Sequence, residues 1–495
     1  MLDKLARLFK NSAIYTLGSV LTRAASLISI PVLTRYLAPE EYGILPVVAS
    51  VMGSLQFVYI MGLRASSTRY YYDLNSEAER KIYFSSLLFF YTGLAALLSL
   101  LLITFGERLL APLLTREVPF YPFIAIGLAS LFLQVLGVLP NTLMRVREQA
   151  TLYIAVDVVK TMLATALSLL FVVAGGMGAL GPLLASLLTS SISAAYLLYY
   201  LRPYLGFNFR WAPLRDSLSF GIPTMSERVC SWVLVGSDRL FLLHYVSLAA
   251  TGIYSVSHSV GMMVQIIGAS INFAWSPFFY ATARDEDETE ARRLIACAAT
   301  YFTLAIVCCA LALAAFAREV FHILAPARYL AGLPLVPWLV FGSIFEAFYD
   351  IPSRGLYLMK RTGVLPLIML AAATASAALN FVLIPRWGMM GAAWAGVLGY
   401  AVRLLLTLRA AQRVYAVPYE YGRIAKIFAA AGTVYFASVR LSPEGFVPGL
   451  LVKATVLAVF PLILYATGFF QTAELRRIRE AAIAMCRKKR FTIGE

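Results

Sequence analysis

The chain has few of the residues that soluble enzymes use for chemistry or for cross-links. Only 14% of its 495 residues are charged, against about 25% in soluble domains, and it has three histidines and five cysteines. The cysteines lie in apolar runs and in the basic C-terminal tail, which implies no disulfide framework. Phosphate-loop and HExxH motifs are absent and the histidines lack metal-ligand spacing, so we expect no metal site and no catalytic site of these kinds.

Apolar residues dominate instead. Hydrophobic residues make up 60% of the chain and the mean hydropathy is +0.76. Burying so much apolar surface in water would need a core far larger than about three ordinary domains provide. We therefore expect an all-α integral membrane protein, because helices satisfy their own backbone hydrogen bonds in lipid.

Fourteen stretches are long and apolar enough to cross a bilayer, which takes about 20 residues. The first begins after the basic start MLDKLARLFKN, which we interpret as part of a retained span and not as a cleaved signal. The predicted spans are 12–37, 42–63, 82–105, 119–144, 151–174, 179–201, 217–243, 250–280, 294–316, 331–353, 363–384, 389–408, 424–439 and 449–470.

The basic residues fix the predicted orientation. With the N-terminus in the cytoplasm, inner loops and termini hold 29 of the 42 Lys and Arg residues, outer loops hold 7 and the spans hold 6. This bias follows the positive-inside rule and predicts a membrane protein with both termini cytoplasmic. It also accounts for most of the net charge of +16, so no nucleic-acid partner is needed. Anionic lipids are the expected partners of the basic amphipathic ends.

Two internal alignments indicate a repeat. YLAPEEYGILPVVAS (36–50) aligns with YVSLAATGIYSVSHS (245–259), and GGMGALGPLLA (175–185) aligns with GMMGAAWAGVL (388–398). The offsets of 209 and 213 predict that helices 7 to 12 repeat helices 1 to 6 in the same orientation, a plan that places substrates between the halves. The predicted organisation is an interfacial helix (1–11), an N-lobe (12–205), a C-lobe (206–415), two further helices (416–472) and a basic tail (473–495).

Gly176, Gly178 and Gly181 match the dinucleotide-binding pattern GxGxxG, but they lie between two apolar spans without a preceding strand. We interpret them as a helix connection, where glycine supplies the backbone freedom that a tight turn needs. The loops are all short, which argues against an enzyme with a soluble catalytic domain.

Charges within spans are the informative residues, because each costs about 2.5–3.5 kcal/mol and persists only beside a partner or a wet cavity. Six are basic and five are acidic: Arg23, Lys160, Arg228, Arg239, Arg403 and Lys453, and Asp157, Glu227, Asp238, Glu346 and Asp350.

Spacing separates these charges into classes. Asp157 and Lys160, three residues apart on one helix, predict a structural pair. Arg23 has no acid within a turn, so it either pairs with another helix or lines a cavity, and we favour the cavity. Glu346 and Asp350 are like charges four residues apart, which predicts a shared coupling proton or Na⁺; the alternative is that each pairs with Arg228 or Arg403.

An early Asn and a mid-helix Arg precede IPVLTRYLAPEEYG (30–43), and GSDRLFLLHYVSLAATGIYSVSHSVG (236–261) and LNFVLIPRWGMMGAAWAGVLGY (379–400) follow. Together they resemble the Wzx polysaccharide flippases of the multidrug/oligosaccharidyl-lipid/polysaccharide exporter superfamily. The resemblance implies two six-helix lobes around a cationic cavity, two C-terminal helices, and movement of undecaprenyl-pyrophosphate-linked oligosaccharide repeat units driven by an ion gradient or membrane potential. Bidentate arginine contacts suit pyrophosphate. The expected binding residues are Arg23, Arg228, Arg239 and Arg403.

The resemblance also implies polysaccharide polymerase and glycosyltransferases as partners, and O-antigen or exopolysaccharide synthesis as the setting. It leaves open a multidrug/cation antiporter or a peptidoglycan-precursor flippase of the same superfamily. A membrane glycosyltransferase or polymerase is the alternative from a different class. We expect a transporter and no enzyme.

Overall fold

The computed structural model describes residues 2–206, 208–443 and 445–471, and these form nineteen α-helices. In the first half the helices are α1 (Leu2–Tyr36), α2 (Pro39–Ile60), α3 (Leu63–Asp73), α4 (Glu77–Leu110), α5 (Ala125–Leu136), α6 (Val138–Val146), α7 (Ala150–Val173) and α8 (Leu180–Leu201). In the second half they are α9 (Trp211–Gly236), α10 (Asp238–Tyr245), α11 (Leu248–Gly261), α12 (Met263–Asp285), α13 (Glu288–Ala315), α14 (Ala317–Leu324), α15 (Val336–Leu358), α16 (Val364–Val414), α17 (Tyr421–Leu441), α18 (Phe446–Ala458) and α19 (Phe460–Ala466). Short turns of other helix types occupy Phe120–Ile124, Arg202–Tyr204 and Ala327–Leu335.

This architecture confirms the predicted all-α membrane fold. Eleven of the described helical segments are long and apolar enough to cross a membrane. All fourteen predicted spans fall on helical structure, and two of them share α16, which bends at Gly388. The φ angle of 53° at Gly388 lies in the left-handed region that glycine adopts readily. The count of fourteen stays a prediction.

The repeat seen in the sequence appears as a reciprocal contact. A Cβ atom on Gly43 of α2 would lie 2.3 Å from the carbonyl oxygen of Leu248 in α11, and one on Gly252 would lie 2.1 Å from that of Pro39. Pro39 and Gly43 correspond to Leu248 and Gly252 at the offset of 209. Each half therefore offers the same surface to the other, as two-fold related surfaces do. Only glycine allows backbones this close.

Helix α9 connects the two halves. Near its start, the hydroxyl of Ser217 is 2.8 Å from that of Tyr83 in α4. Near its end, Leu234 packs with Met369 and Ala372 of α16. The division into lobes at 205–206 stays a prediction, as does the separate pair at 416–472.

The ends of the chain add little to the site. Helix α1 continues without a break from Leu2, so the proposed interfacial segment 1–11 runs directly into the first span; its place at the membrane surface stays a prediction. The basic tail at 473–495 lies outside the described residues. Gly176 and Gly178 have φ angles of 58° and 53° in the turn between α7 and α8, which confirms that this motif is a helix connection.

Candidate functional site

Three arginines from three helices form a cluster of positive charge, which we name the arginine cluster. Arg64 belongs to α3, Arg145 to α6 and Arg228 to α9. The charges of Arg145 and Arg228 both act on the partly buried guanidinium of Arg64. Within the described residues, none of the three has a carboxylate at ion-pair distance. The cluster therefore has unopposed positive charge.

Backbone geometry brings Arg64 and Arg228 together. Between α2 and α3, Met61 and Gly62 adopt left-handed φ angles of 45° and 71°. A Cβ atom on Gly62 would lie 1.9 Å from the carbonyl oxygen of Gly221, so α3 rests directly on α9. Arg228 follows Gly221 by seven residues, about two helical turns, and therefore lies on the same side of α9.

Aromatic rings flank the arginine cluster. The Arg145 guanidinium carbon is 5.9 Å from the centre of the Tyr153 ring, and the Tyr15 ring of α1 is 5.7 Å from Tyr153. Tyr91 and Tyr153 also lie near enough to Arg64 to influence its guanidinium group. Cation–π contacts hold guanidinium groups without neutralising them. Three such groups can bind a multivalent anion such as a pyrophosphate through bidentate hydrogen bonds.

Arg23 lies on a polar face of α1. Exposed Leu21 and Ile28 mark the opposite, lipid-compatible side of the helix. Charged side chains at membrane depth face protein or water-filled space. Arg23 is exposed and has no ion-pair partner among the described residues, which agrees with a position on a wet surface. The residues that share its face are Ser19, Thr22, Ser26 and Ser29.

Arg239 belongs to a buried network. Its guanidinium donates to Oδ1 of Asp238 at 2.8 Å and to the backbone carbonyl of Val235. Its Nη2 atom is 3.0 Å from Nδ1 of His258, and the hydroxyl of Tyr254 donates to Oδ2 of Asp238 at 2.6 Å. With these partners in place, Arg239 is not free to bind an anion in this conformation.

Arg403 is also paired. It donates to both carboxylate oxygens of Glu346, at 2.7 and 2.6 Å, and stacks 3.6 Å from the centre of the Tyr349 ring. This is the alternative that the sequence left open for Glu346. The structure therefore does not bring the four predicted arginines together: Arg228 lies in the arginine cluster, while Arg239 and Arg403 each pair with an acid.

Asp350 has a looser environment than Glu346. Its Oδ2 accepts from Asn272 at 2.6 Å, and its Oδ1 is 3.8 Å from the Arg354 guanidinium. Arg354 in turn donates to Oδ1 of Asn272 at 3.0 Å. The side chain of Asp350 is 35% exposed, so water and small cations can reach it.

Two other intramembrane cations have local partners. The charge of Asp157 acts on Lys160, although the two groups do not form an ion pair at hydrogen-bonding distance. Lys453 of α18 lies 2.8 Å from both carboxylate oxygens of Glu319 in α14, and both side chains are almost fully buried. Glu319 falls between the predicted spans 294–316 and 331–353, where hydropathy gave no reason to expect a buried partner.

Sequence analysis also missed Arg64 and Arg145. The predicted span ended at residue 63, which left Arg64 among the inner-loop residues, whereas α3 extends the helix to Asp73. Arg145 likewise falls just past the predicted span 119–144. The residues of α3 are polar, so a hydropathy scan does not detect that the chain stays helical there. A search for helix-forming sequence beyond the end of the apolar stretch could have found it.

These features define a class: a multi-pass membrane protein of two repeated halves. The second half has paired intramembrane charges, and the arginine cluster is formed by α3 and α6 of the first half together with α9. Its fold is similar to that of the lipid II flippase MurJ in an inward closed conformation, with a TM-score of 0.74 at 13% identity over 92% of this chain and 99% of that one. It is also similar to an inward-facing multidrug resistance MATE family transporter of the MOP superfamily, with a TM-score of 0.67 at 16% identity over 80% of this chain and 95% of that one.

The sequence gives the family. Residues 8–283, more than half of the chain, match the model of the polysaccharide biosynthesis protein family, and the chain belongs to that family. It is also 24% identical over 193 residues to the uncharacterized membrane protein MJ1068 of Methanocaldococcus jannaschii, a match that covers 38% of each protein. The family match confirms the part of the resemblance that concerns polysaccharide biosynthesis, and the fold is similar to that of MurJ and of a MATE family transporter.

Proposed function

We propose that this protein is a flippase that moves undecaprenyl-pyrophosphate-linked oligosaccharide repeat units across the bacterial plasma membrane, with its termini in the cytoplasm. The observation that carries the proposal is the arginine cluster, in a protein of the polysaccharide biosynthesis family. Glycosyltransferases would supply the cargo and a polysaccharide polymerase would consume it, in O-antigen or exopolysaccharide synthesis.

A pyrophosphate is the part of such a cargo that lipid opposes most, because its charge must cross a low dielectric. Arg64, Arg145 and Arg228 offer positive charge that no protein carboxylate neutralises in the described chain. Arg23, on the polar face of α1, is the fourth proposed contact. Arg239 and Arg403 would join only after a conformational change that exchanges their carboxylate partners for the substrate.

Coupling to an ion gradient is proposed for Asp350. Glu346 already pairs closely with Arg403, whereas Asp350 has only a long contact of 3.8 Å with Arg354 and its side chain is 35% exposed. The Asp350 carboxylate is therefore open to a proton or a Na⁺ ion. Glu346 would take part in coupling when its ion pair with Arg403 breaks.

Substitution of the arginines tests the proposal. Purified variants Arg64→Ala, Arg145→Ala, Arg228→Ala and Arg23→Ala would be compared for binding of undecaprenyl pyrophosphate and for its movement in proteoliposomes. Hydrogen bonds to charged groups contribute about 1.5–3 kcal/mol each, so we expect binding to weaken by about 10- to 150-fold per cluster residue. Arg64→Lys should recover only part of the loss, because lysine lacks the bidentate geometry.

Arg69→Ala is the matched control. Arg69 lies on the same helix as Arg64, but its guanidinium stacks 4.8 Å from the Phe220 ring instead of facing the cluster. It should bind undecaprenyl pyrophosphate like the unchanged protein. Equal binding by Arg64→Ala, Arg145→Ala and Arg228→Ala would contradict the proposal.

Two related functions remain in view. MurJ flips lipid II, and a MATE family member is a multidrug transporter. A peptidoglycan-precursor flippase would use the same arginine cluster, since both cargoes carry pyrophosphate, and competition between lipid II and a polysaccharide precursor would separate the two. A cation antiporter is less suited to a cluster of unpaired arginines, because like charges repel.

A further inference from the structure

Two adjoining cavities lie inside the first half of the molecule. The larger, of about 300 Å³, lies between α2, α5 and α8, and its polar lining residues are Gln56, Ser130, Gln134 and Ser186. The smaller, of about 50 Å³, lies between α5, α6, α7 and α8. Gln134 lines both, so the two cavities are neighbours.

Each cavity has a buried serine hydroxyl in its wall. Ser130 lines the larger cavity and is 4% exposed, and Ser190 lines the smaller one and is 2% exposed. Among the described residues, the Oγ atom of neither serine has a hydrogen-bond partner. Buried polar groups in folded proteins are almost always hydrogen-bonded, so each exception calls for an explanation. A ligand that brings its own hydroxyl groups would supply the missing partners.

The lining chemistry selects the kind of ligand. None of the described residues that line the larger cavity is ionisable, which makes it unsuited to a pyrophosphate or a metal ion. A polyprenyl chain also fits the larger cavity poorly, because it has no groups that could hydrogen-bond to the amides and hydroxyls of the lining. Neutral donors and acceptors in a volume at the lower end of ligand pockets fit one sugar residue.

The smaller cavity shares one wall residue, Tyr153, with the surroundings of the arginine cluster. Tyr153 forms part of its wall, and the same ring lies 5.9 Å from the Arg145 guanidinium carbon. Asn141, Asp157 and Lys160 line the cavity as well. A sugar bonded to a pyrophosphate at the arginine cluster would therefore meet Tyr153 first and Gln134 next.

We propose that these two cavities bind the saccharide part of the lipid-linked substrate, with Ser130, Gln134 and Ser190 as its hydrogen-bonding residues. This inference rests on the proposed function, since it extends the substrate away from the pyrophosphate held by the arginine cluster. It assigns sugar recognition to the first half of the protein and pyrophosphate recognition to the junction between the halves.

Binding measurements on the full-length protein test this inference. The probes are undecaprenyl pyrophosphate alone and undecaprenyl pyrophosphate carrying one glucose, galactose, N-acetylglucosamine or N-acetylgalactosamine. We expect at least one sugar to increase the affinity of the unchanged protein, and Ser130→Ala combined with Gln134→Leu to reduce that increase at least tenfold. Affinity for undecaprenyl pyrophosphate alone should stay the same, and Ser190→Ala should act in the same direction.

The variants carry their own folding control. Removing an unpartnered hydroxyl costs no hydrogen bond, so Ser130→Ala and Ser190→Ala should unfold at the same temperature as the unchanged protein or at a higher one. Ser191→Ala is the matched control, because its hydroxyl already donates to the carbonyl of Leu187 in its own helix at 2.9 Å. It should leave the sugar-dependent gain unchanged.

The outcomes separate the two proposals. If undecaprenyl pyrophosphate binds but no sugar adds affinity, or if the gain survives in the combined variant, the cavities are not the saccharide site and the proposed function stands. If undecaprenyl pyrophosphate itself does not bind, both proposals are overturned.

Discussion

The pair formed by Lys453 and Glu319 gives the sharpest quantitative prediction. The Lys453 Nζ atom is 2.8 Å from both oxygens of Glu319, and the two side chains are only 5% and 7% exposed. The pair joins α18 to α14, and so attaches one of the last described helices to an earlier helix of the second half. Lys453→Met leaves a buried carboxylate without its counter-charge, and Glu319→Leu leaves a buried ammonium.

The expected loss of unfolding free energy is limited by the free energy needed to neutralise the unpaired group, by adding a proton to the carboxylate or removing one from the ammonium. Neutralising an ordinary glutamate at pH 7 costs about 3.7 kcal/mol and an ordinary lysine about 4.6 kcal/mol, at 1.36 kcal/mol for each pH unit. Breaking a buried pair costs about 3–5 kcal/mol in measured cases, which agrees. We therefore expect each single variant to lose about 3–5 kcal/mol of unfolding free energy. The double variant should lose much less, because no charge is left unpaired.

Equilibrium unfolding in mixed micelles, followed by tryptophan fluorescence, provides the double-mutant cycle. The exposed pair of Arg292 and Glu288, at 2.5 Å, is the control, and its coupling should be about 0.3–0.5 kcal/mol. A coupling below about 1 kcal/mol for Lys453 and Glu319 would refute the reasoning, because it would place this pair in the same class as an exposed one.

Two further predictions concern the contact between the halves and the coupling residue. Gly252→Ala would place a methyl group 2.1 Å from the carbonyl oxygen of Pro39, and overpacking of this kind should cost about 1–3 kcal/mol in thermal unfolding; Gly432→Ala, with open space around it, should cost no such amount. Equal stability of the two variants would count against the close contact. Asp350→Asn should abolish the dependence of transport on an imposed Na⁺ or H⁺ gradient in proteoliposomes, while the variant still binds undecaprenyl pyrophosphate. If transport by this variant still depends on the gradient, Asp350 is not the coupling residue.

Hydropathy predicted the helices well because the membrane imposes a length and a composition on each span. It placed helix ends poorly where a helix continues into polar sequence, as α3 does, but it correctly separated two spans at the bend of α16 near Gly388. The repeat was also visible, since Pro39 and Gly43 align with Leu248 and Gly252. That these four residues touch one another in a reciprocal way required the structure.

The site shows the limit more clearly. Sequence spacing identified intramembrane charges as special and offered Arg403 as an alternative partner for Glu346, but spacing along the chain cannot tell which helices lie side by side. Glu346 is 57 positions from its partner Arg403, and Glu319 is 134 positions from Lys453. Arg64 and Arg145 looked like ordinary inner-loop charges until α3 and α6 placed them with Arg228.

The sequence by itself determined that this is a helical membrane protein of repeated halves, because hydropathy, charge bias and internal similarity are properties that single residues and short segments carry. Only the tertiary structure decided which charges are neutralised and which are free, because electrostatic pairing depends on distance between atoms and falls off with separation in space, whatever the separation along the chain. The fold paired Arg239, Arg403 and Lys453 with carboxylates, and left Arg64, Arg145 and Arg228 together without one in the described chain.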